Sequence, residues 1–178
     1  MTNRQQWTLV AGLTMTAVFG VALAIKLRPQ LSLLGIGSAA PSFEAMDLRA
    51  NTPVTLADYR GKVLLLNVWA TWCPPCIHEM PSMERLHQQF KDTGFLVLGI
   101  SIDEDPPEKV LTFANDLGVT FEILHDRSGA IQGIYQTTGV PESFIIDRSG
   151  TIVKKVIGAA EWDNPVNAGL IRRLLDAR

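Results

Sequence analysis

Hydrophobic positions fall into three kinds of pattern along this chain. Residues 7–25 carry no charge and are mostly apolar, and an apolar span of about 20 residues is long enough to cross a bilayer as a helix. Residues 63–69 and 95–102 are short, nearly continuous apolar runs. Such runs predict strands buried on both faces of a parallel sheet covered by helices. Between them Ile77, Met80, Met83, Leu86 and Phe90 recur at helical spacing, with Gly94 as the stop. Pro81 falls inside this helix and predicts a kink.

The remaining segments extend the alternation. Residues 48–56 predict two short strands about a turn at Asn51-Thr52-Pro53. A helix opens at Asp105-Pro106-Pro107 and ends near Gly118; residues 121–124 form a short strand and 128–135 a short helical piece. Residues 143–147 and 151–157 predict strands joined by the tight turn Asp147-Arg148-Ser149-Gly150, and 164–177 a final amphipathic helix. The order is strand–helix–strand–helix–strand, hairpin, helix, which is an α/β fold with a central mixed sheet flanked by helices.

The expected organisation is an N-terminal membrane anchor over residues 1–27, a linker over 28–40 with Pro29, Gly35, Gly37 and Ser38, and a globular domain over 41–178. The first segment has three readings. A cleaved signal sequence wants a small-residue site just after the apolar run, whereas Lys26-Leu27-Arg28-Pro29 follows it and Gly37-Ser38-Ala39-Ala40 lies far downstream. A buried core helix wants a polar face, which is missing. An uncleaved transmembrane helix is preferred, and cleavage is the runner-up. Arg4 on one flank and Lys26 and Arg28 on the other leave its orientation undecided.

Charge narrows the partners. No acidic residue precedes Glu44, and from there on thirteen basic residues face eighteen acidic ones, a formal charge of −5. An acidic domain argues against nucleic acid, whose phosphates need a basic face. Cys73 and Cys76 are the only cysteines among 178 residues, too few for a disulfide-stapled scaffold.

The cysteine pair is the candidate chemistry. It lies where a buried strand gives way to a helix, and the free N–H groups and dipole of a helix N-terminus favour a thiolate. Cys73 is the natural nucleophile and Cys76, one turn in, the resolving thiol. Pro74 and Pro75 carry no N–H, which removes two donors from the thiolate and predicts a less oxidising pair. Glu79 lies one turn beyond Cys76 on the same face. It is a proton carrier for the thiols or a solvated surface carboxylate. Asn67 is either a polar site residue or a satisfied core amide. A zinc site takes four ligands, and only His78 and His87 are near, His78 on nearly the opposite face. Haem attachment needs His directly after the second cysteine, where Ile77 stands. A structural disulfide with two intervening residues constrains the unfolded chain little. No cofactor and no metal is expected beyond the Cys73–Cys76 disulfide.

Asn67-Val-Trp-Ala-Thr-Trp-Cys-Pro-Pro-Cys-Ile-His-Glu-Met-Pro closely resembles the active-site region of membrane-anchored thioredoxin-like proteins of the TlpA/ResA/CcmG (DsbE) type, and Gly139-Val-Pro-Glu-Ser-Phe-Ile-Ile-Asp147 matches their second signature. The resemblance spans roughly residues 41 to 175, from Ala40-Pro41-Ser42-Phe43 through Gly61-Lys62-Val63. It implies a thioredoxin fold and a protein-disulfide reductase. Pro141 then resembles the cis-proline that faces the cysteines, Glu79 the acidic residue beside them, and Glu142 a residue next to the site. Asn67 falls where cytoplasmic thioredoxins carry a buried aspartate, and Trp72 and Val140 would line the groove that receives a partner chain. The resemblance also implies a domain outside the cytoplasmic membrane, in the periplasm or its equivalent. A transmembrane thiol carrier of the DsbD or CcdA kind would recharge it. Apocytochrome c is the leading substrate, in cytochrome c maturation, and a copper-assembly protein the second.

Three other functions compete. A disulfide-donating oxidase would share every catalytic residue. A thiol peroxidase of the peroxiredoxin kind carries proline and Thr or Ser seven and three residues before its cysteine; here Leu66 and Ala70 precede Cys73, and Trp69 and Cys73 precede Cys76. A metal or haem carrier would use the dithiol without turnover. His87, His125 and the stretch Glu161-Trp162-Asp163 are assigned to packing or surface.

Overall fold

The computed structural model describes residues 3–31 and 33–177, and the chain divides into two compact units between Leu33 and Leu34. The first is a single helix, α1 (Asn3–Leu31). Leu13, Met15, Val18, Phe19, Val21 and Ile25 are all exposed on it. The side chains of residues 4–6, 8–11 and 26–31, including Arg4, Lys26 and Arg28, lie outside the described residues. Among the described residues no helix is long and apolar enough to cross a membrane.

The second unit is built on seven strands: β1 (Glu44–Asp47), β2 (Thr52–Thr55), β3 (Val63–Trp69), β4 (Phe95–Ser101), β5 (Glu122–His125), β6 (Glu142–Ile146) and β7 (Ile152–Ile157). They form one mixed sheet in the order β2-β1-β5-β4-β3-β6-β7. β3 pairs in parallel with β4 and β4 with β5, while β6 runs antiparallel to both β3 and β7. The helices are α2 (Pro74–Gln89), α3 (Pro107–Asp116), α4 (Ala130–Ile134) and α5 (Pro165–Asp176).

The sheet separates two cores, and the pleat of β3 feeds both. Val63, Leu65 and Trp69 pack with Met80, Met83 and Leu86 of α2, Val110 and Ala114 of α3 and Ile171 of α5. Leu64, Leu66 and Val68 point the other way, to Phe43, Tyr59, Ile131 of α4 and Tyr135. Alternate side chains of a strand face opposite sides, so every residue of β3 is buried, as its apolar run predicts. The same alternation turns Asn67 towards α2.

Two expectations shift in detail. The segment 34–40, expected as linker, belongs to the globular unit: Gly37 N–H donates to Ile152 O (2.8 Å), Ile152 N–H to Ser38 O (2.9 Å) and Ala40 N–H to Gly150 O (2.8 Å). The turn expected at 51–53 lies earlier, closing at Asn51 in the left-handed conformation (φ 54°). Pro53 sits inside β2, opposite Met46; an edge strand tolerates proline because one side needs no N–H donor. Pro81 lies inside α2, as the spacing predicts, and the helix continues past it to Gln89.

Gly99 in β4 is held by its neighbours. A Cβ there would lie 3.1 Å from the Phe121 ring and 3.2 Å from Trp69 Nε1, both fully buried. Overpacking of a filled core costs roughly 1–3 kcal/mol. Gly99→Ala is therefore expected to lower the denaturant midpoint at unchanged m-value, and a midpoint equal to wild type would count against this packing.

Candidate active site

The site forms where β3 ends and α2 begins. Asp103, 1 % exposed, accepts from Thr71 N–H (3.0 Å) and Thr71 Oγ1 (2.6 Å) and is itself bonded by Ser101 Oγ (2.7 Å). His125 reaches the same element, with Nε2 2.7 Å from Asp103 O. This cluster pins the turn that carries Trp72, which stays 64 % exposed. Cys73 is the N-cap of α2, in extended conformation, with Pro74 and Pro75 as the first two helical residues. Its Sγ accepts from Cys76 N–H (3.2 Å). Because the prolines donate nothing, this is the one backbone N–H given to that sulfur among the described residues. Cys73 and Cys76 are joined as a disulfide with their Cα atoms 5.3 Å apart. Cys76 is completely buried and Cys73 nearly so, which makes Cys73 the sulfur closer to solvent.

Glu79 is buried, at 2 % exposure, directly behind the pair on α2. Three N–H donors converge on its carboxylate. Asn67 Nδ2 reaches Oε1 at 2.7 Å, while Ala160 N and Trp162 Nε1 reach Oε2 at 3.0 Å each. Burial pushes its pKa above the ordinary carboxylate value, and the bonds from Trp162, Ala160 and Asn67 pull the other way without cancelling it. A carboxylate whose pKa is raised by folding binds more protons in the folded state, so stability falls as pH rises from the unfolded value through the folded one. Glu79→Gln is expected to flatten that slope in a pH series of unfolding free energies; an unchanged slope would assign it elsewhere.

The second signature arrives from β6. Val68 pairs with Glu142 across β3 and β6, so Pro141 stands at the sheet end from which the cysteine turn departs. The Val140–Pro141 peptide is cis, and Gly158 N–H donates to Pro141 O (2.9 Å). Val140 is half-buried and packs against both cores. Glu142, expected as a residue that meets a docked chain, is fully buried instead. Its carboxylate accepts from Thr138 N–H (3.1 Å) and pairs with Lys155 Nζ (2.8 Å), which clips the 138–141 segment to β7. A carboxylate removed from water needs such compensation, and β6 is an inner strand with no open face.

Trp162 was assigned to packing, and the structure gives it a further part. Its indole donates to Glu79, its backbone N–H donates to Ser82 Oγ (2.9 Å), and Ser82 Oγ bonds Glu79 O (2.8 Å). The loop before α5 is thereby fastened to the helix that carries the cysteines. A tryptophan between two acidic residues was the available signal, since a buried indole N–H usually finds an acceptor. His78 is exposed and His87 half-buried. Among the described residues, no group of three or more His, Cys, Asp or Glu is placed to hold a metal.

The sequence profile of the AhpC/TSA family matches residues 36–155. The thiol-disulfide oxidoreductase ResA of Geobacillus kaustophilus is 34% identical over 146 residues, covering 82% of this chain and 83% of that protein. The chain belongs to the AhpC/TSA family, among the thiol–disulfide oxidoreductases of the TlpA, ResA and DsbE type. ResA of Bacillus thuringiensis is 33% identical over 156 residues, covering 88% and 89% of the two chains. The thioredoxin domain of a thiol-disulfide oxidoreductase from Bacteroides vulgatus superposes with TM-score 0.67 at 27% identity, covering 75% of this chain and 96% of that one. This family member is thus a thiol–disulfide oxidoreductase whose redox group is the Cys73–Cys76 disulfide.

Proposed function

We propose that the protein reduces disulfides in partner proteins, outside the cytoplasmic membrane. In this reading the Cys73 thiolate attacks a partner disulfide, forms a mixed disulfide and expels one partner thiolate. Cys76 then loses its proton to the Glu79 carboxylate and attacks Cys73 Sγ. The second partner thiolate leaves, and the Cys73–Cys76 disulfide forms. The partner gains two electrons and, from Glu79 and solvent, two protons. Pro141 and Val140 face the incoming chain, and Trp72 lies beside it. A transmembrane thiol carrier of the DsbD or CcdA kind returns two electrons to the pair. Apocytochrome c is the leading substrate and a copper-assembly protein the second. The N-terminal domain boundary falls within residues 28–40, and α1 serves as a single-pass anchor; the uncharged stretch 7–25 supports this.

The observation that carries the reductase direction is the lone N–H at Cys73 Sγ, with Pro74 and Pro75 filling the other first-turn positions. A less supported thiolate binds its proton more tightly, which weakens the reduced form and makes the pair a better reductant. The reduction potential of the full chain, equilibrated in thiol buffers, tests this. A value near about −270 mV, that of thioredoxin, is expected, whereas one near about −120 mV would make the protein a disulfide donor.

A further inference from the structure

We propose that Asn67 is a reversible hydrogen-bond switch for Glu79: its side-chain amide turns over as Glu79 gains and loses a proton, a positioning role that rests on the proton-transfer reading above. The starting observation is an orphan. Asn67 is fully buried, and its Nδ2 makes two bonds, to Glu79 Oε1 (2.7 Å) and to Ser143 Oγ (2.8 Å). Its Oδ1 is buried with no hydrogen-bond partner among the described residues. That position has no partner in either orientation, whether Oδ1 or Nδ2 occupies it, so it does not hold the amide one way round, and the two ends of an amide exchange by a half-turn.

The rest of the cage dictates when the half-turn happens. Ala160 N–H and Trp162 Nε1–H can only donate, so Oε2 remains an acceptor whether or not Glu79 is charged. A proton that joins Glu79 within this network therefore sits on Oε1, facing Asn67. In the present orientation two donors would then meet head-on. After a half-turn Oδ1 accepts the Oε1 proton, and it also accepts from Ser143, whose hydroxyl rotates from acceptor to donor. The observed orientation is the one that fits ionised Glu79, and the reversed one fits the neutral acid. Both protonation states thus keep Oε1 bonded, so the carboxyl group can take the Cys76 proton and return it without moving its backbone.

Few other ionisable groups share this site. On α2 they are the two thiols, once reduced, and exposed His78. From β6 and β7, Glu142 and Lys155 are paired with each other, and Lys154 lies 5.7 Å from the Trp162 ring centroid. From the loop before α5, Glu161 and Asp163 are held by Arg85. Aspartate at position 67 would offer no such reversal when ionised, because it only accepts.

Nuclear magnetic resonance on the labelled, oxidised full chain tests the switch. The Glu79 carboxyl carbon reports its titration, and nuclear Overhauser contacts between the Asn67 side-chain amide protons and Ser143 report the orientation. The contacts are expected at high pH and lost at low pH, with the same midpoint as the carboxyl signal. A Glu79 titration with unchanged Asn67 contacts overturns the switch and leaves the proton-transfer reading standing. Glu79→Gln is the second arm. Its carbonyl must face the two fixed N–H donors, so its NH₂ faces Asn67 and the contacts are expected to be absent at every pH. Contacts that persist in that variant overturn the switch. The proton-transfer reading is judged separately, by whether the Glu79 carbon signal differs between oxidised and reduced protein at fixed pH.

Discussion

Cys73→Ser is expected to abolish disulfide exchange, by on the order of 10³-fold or more against a model protein disulfide. A serine hydroxyl stays protonated at neutral pH, so no thiolate remains to attack. The fold should survive, because serine is a preferred N-cap and can still accept from Cys76 N–H, the bond that Cys73 Sγ takes now. Cys76→Ser should behave differently. The Cys73 thiolate still attacks, but the fully buried resolving thiol is gone, so a covalent mixed disulfide with the partner accumulates. Mass spectrometry of non-reduced samples reads it directly. Retained turnover in Cys73→Ser, or a mixed disulfide that maps to position 76 in the wild type, would reverse the assignment of the two sulfurs.

The largest expected loss of stability is at Trp162. The side chain is completely buried in the core between the sheet and α2 and α5, and replacing such a residue by alanine costs about 3–5 kcal/mol. For a chain of this size that corresponds to a fall in Tm of roughly 10 °C. Trp162→Ala also strips Glu79 Oε2 of one of its two donors, while the backbone N–H that ties the loop to Ser82 is kept. Trp162→Phe separates the effects. It keeps most of the volume and removes the N–H, so the melting temperature should fall much less. The Glu79 pKa should rise further, since a bond that favoured the charged form is lost. Circular dichroism melts and a carboxyl titration of both variants check this. A Trp162→Ala melt within a few degrees of wild type, or an unmoved Glu79 titration in Trp162→Phe, would contradict the bond network.

What could be read from the chain in advance follows physical range. β3 and α2 were legible because their signals are local: a continuous apolar run, and an apolar repeat that starts at a proline-rich turn. The cysteines stood out for the same reason. Glu79 could be placed on the right helix face by spacing alone, but its burial could not, because its partners Ala160 and Trp162 come from 81 and 83 residues away. Glu142 reads as a residue beside the site because it directly follows Pro141; only the pairing of β6 with both β3 and β7 buries it. Residues 34–40 read as linker from Gly35, Gly37 and Ser38, whereas Gly37 (φ 88°) is used to turn the backbone onto the sheet.

That docked segment has a consequence for the outer edge of the sheet. β7 is the last strand on its side, and an unpaired strand edge is a template on which a second molecule can add its own. Residues 37–40 cover its first part through the bonds at Gly150 and Ile152 and the bridge from Ala39 to Thr151. They work as a selvage, a woven margin that keeps the fabric from catching on its neighbour. A soluble fragment begun at Pro41 would lack that margin and expose the amide row it covers; one begun at Leu34 would carry its hem with it.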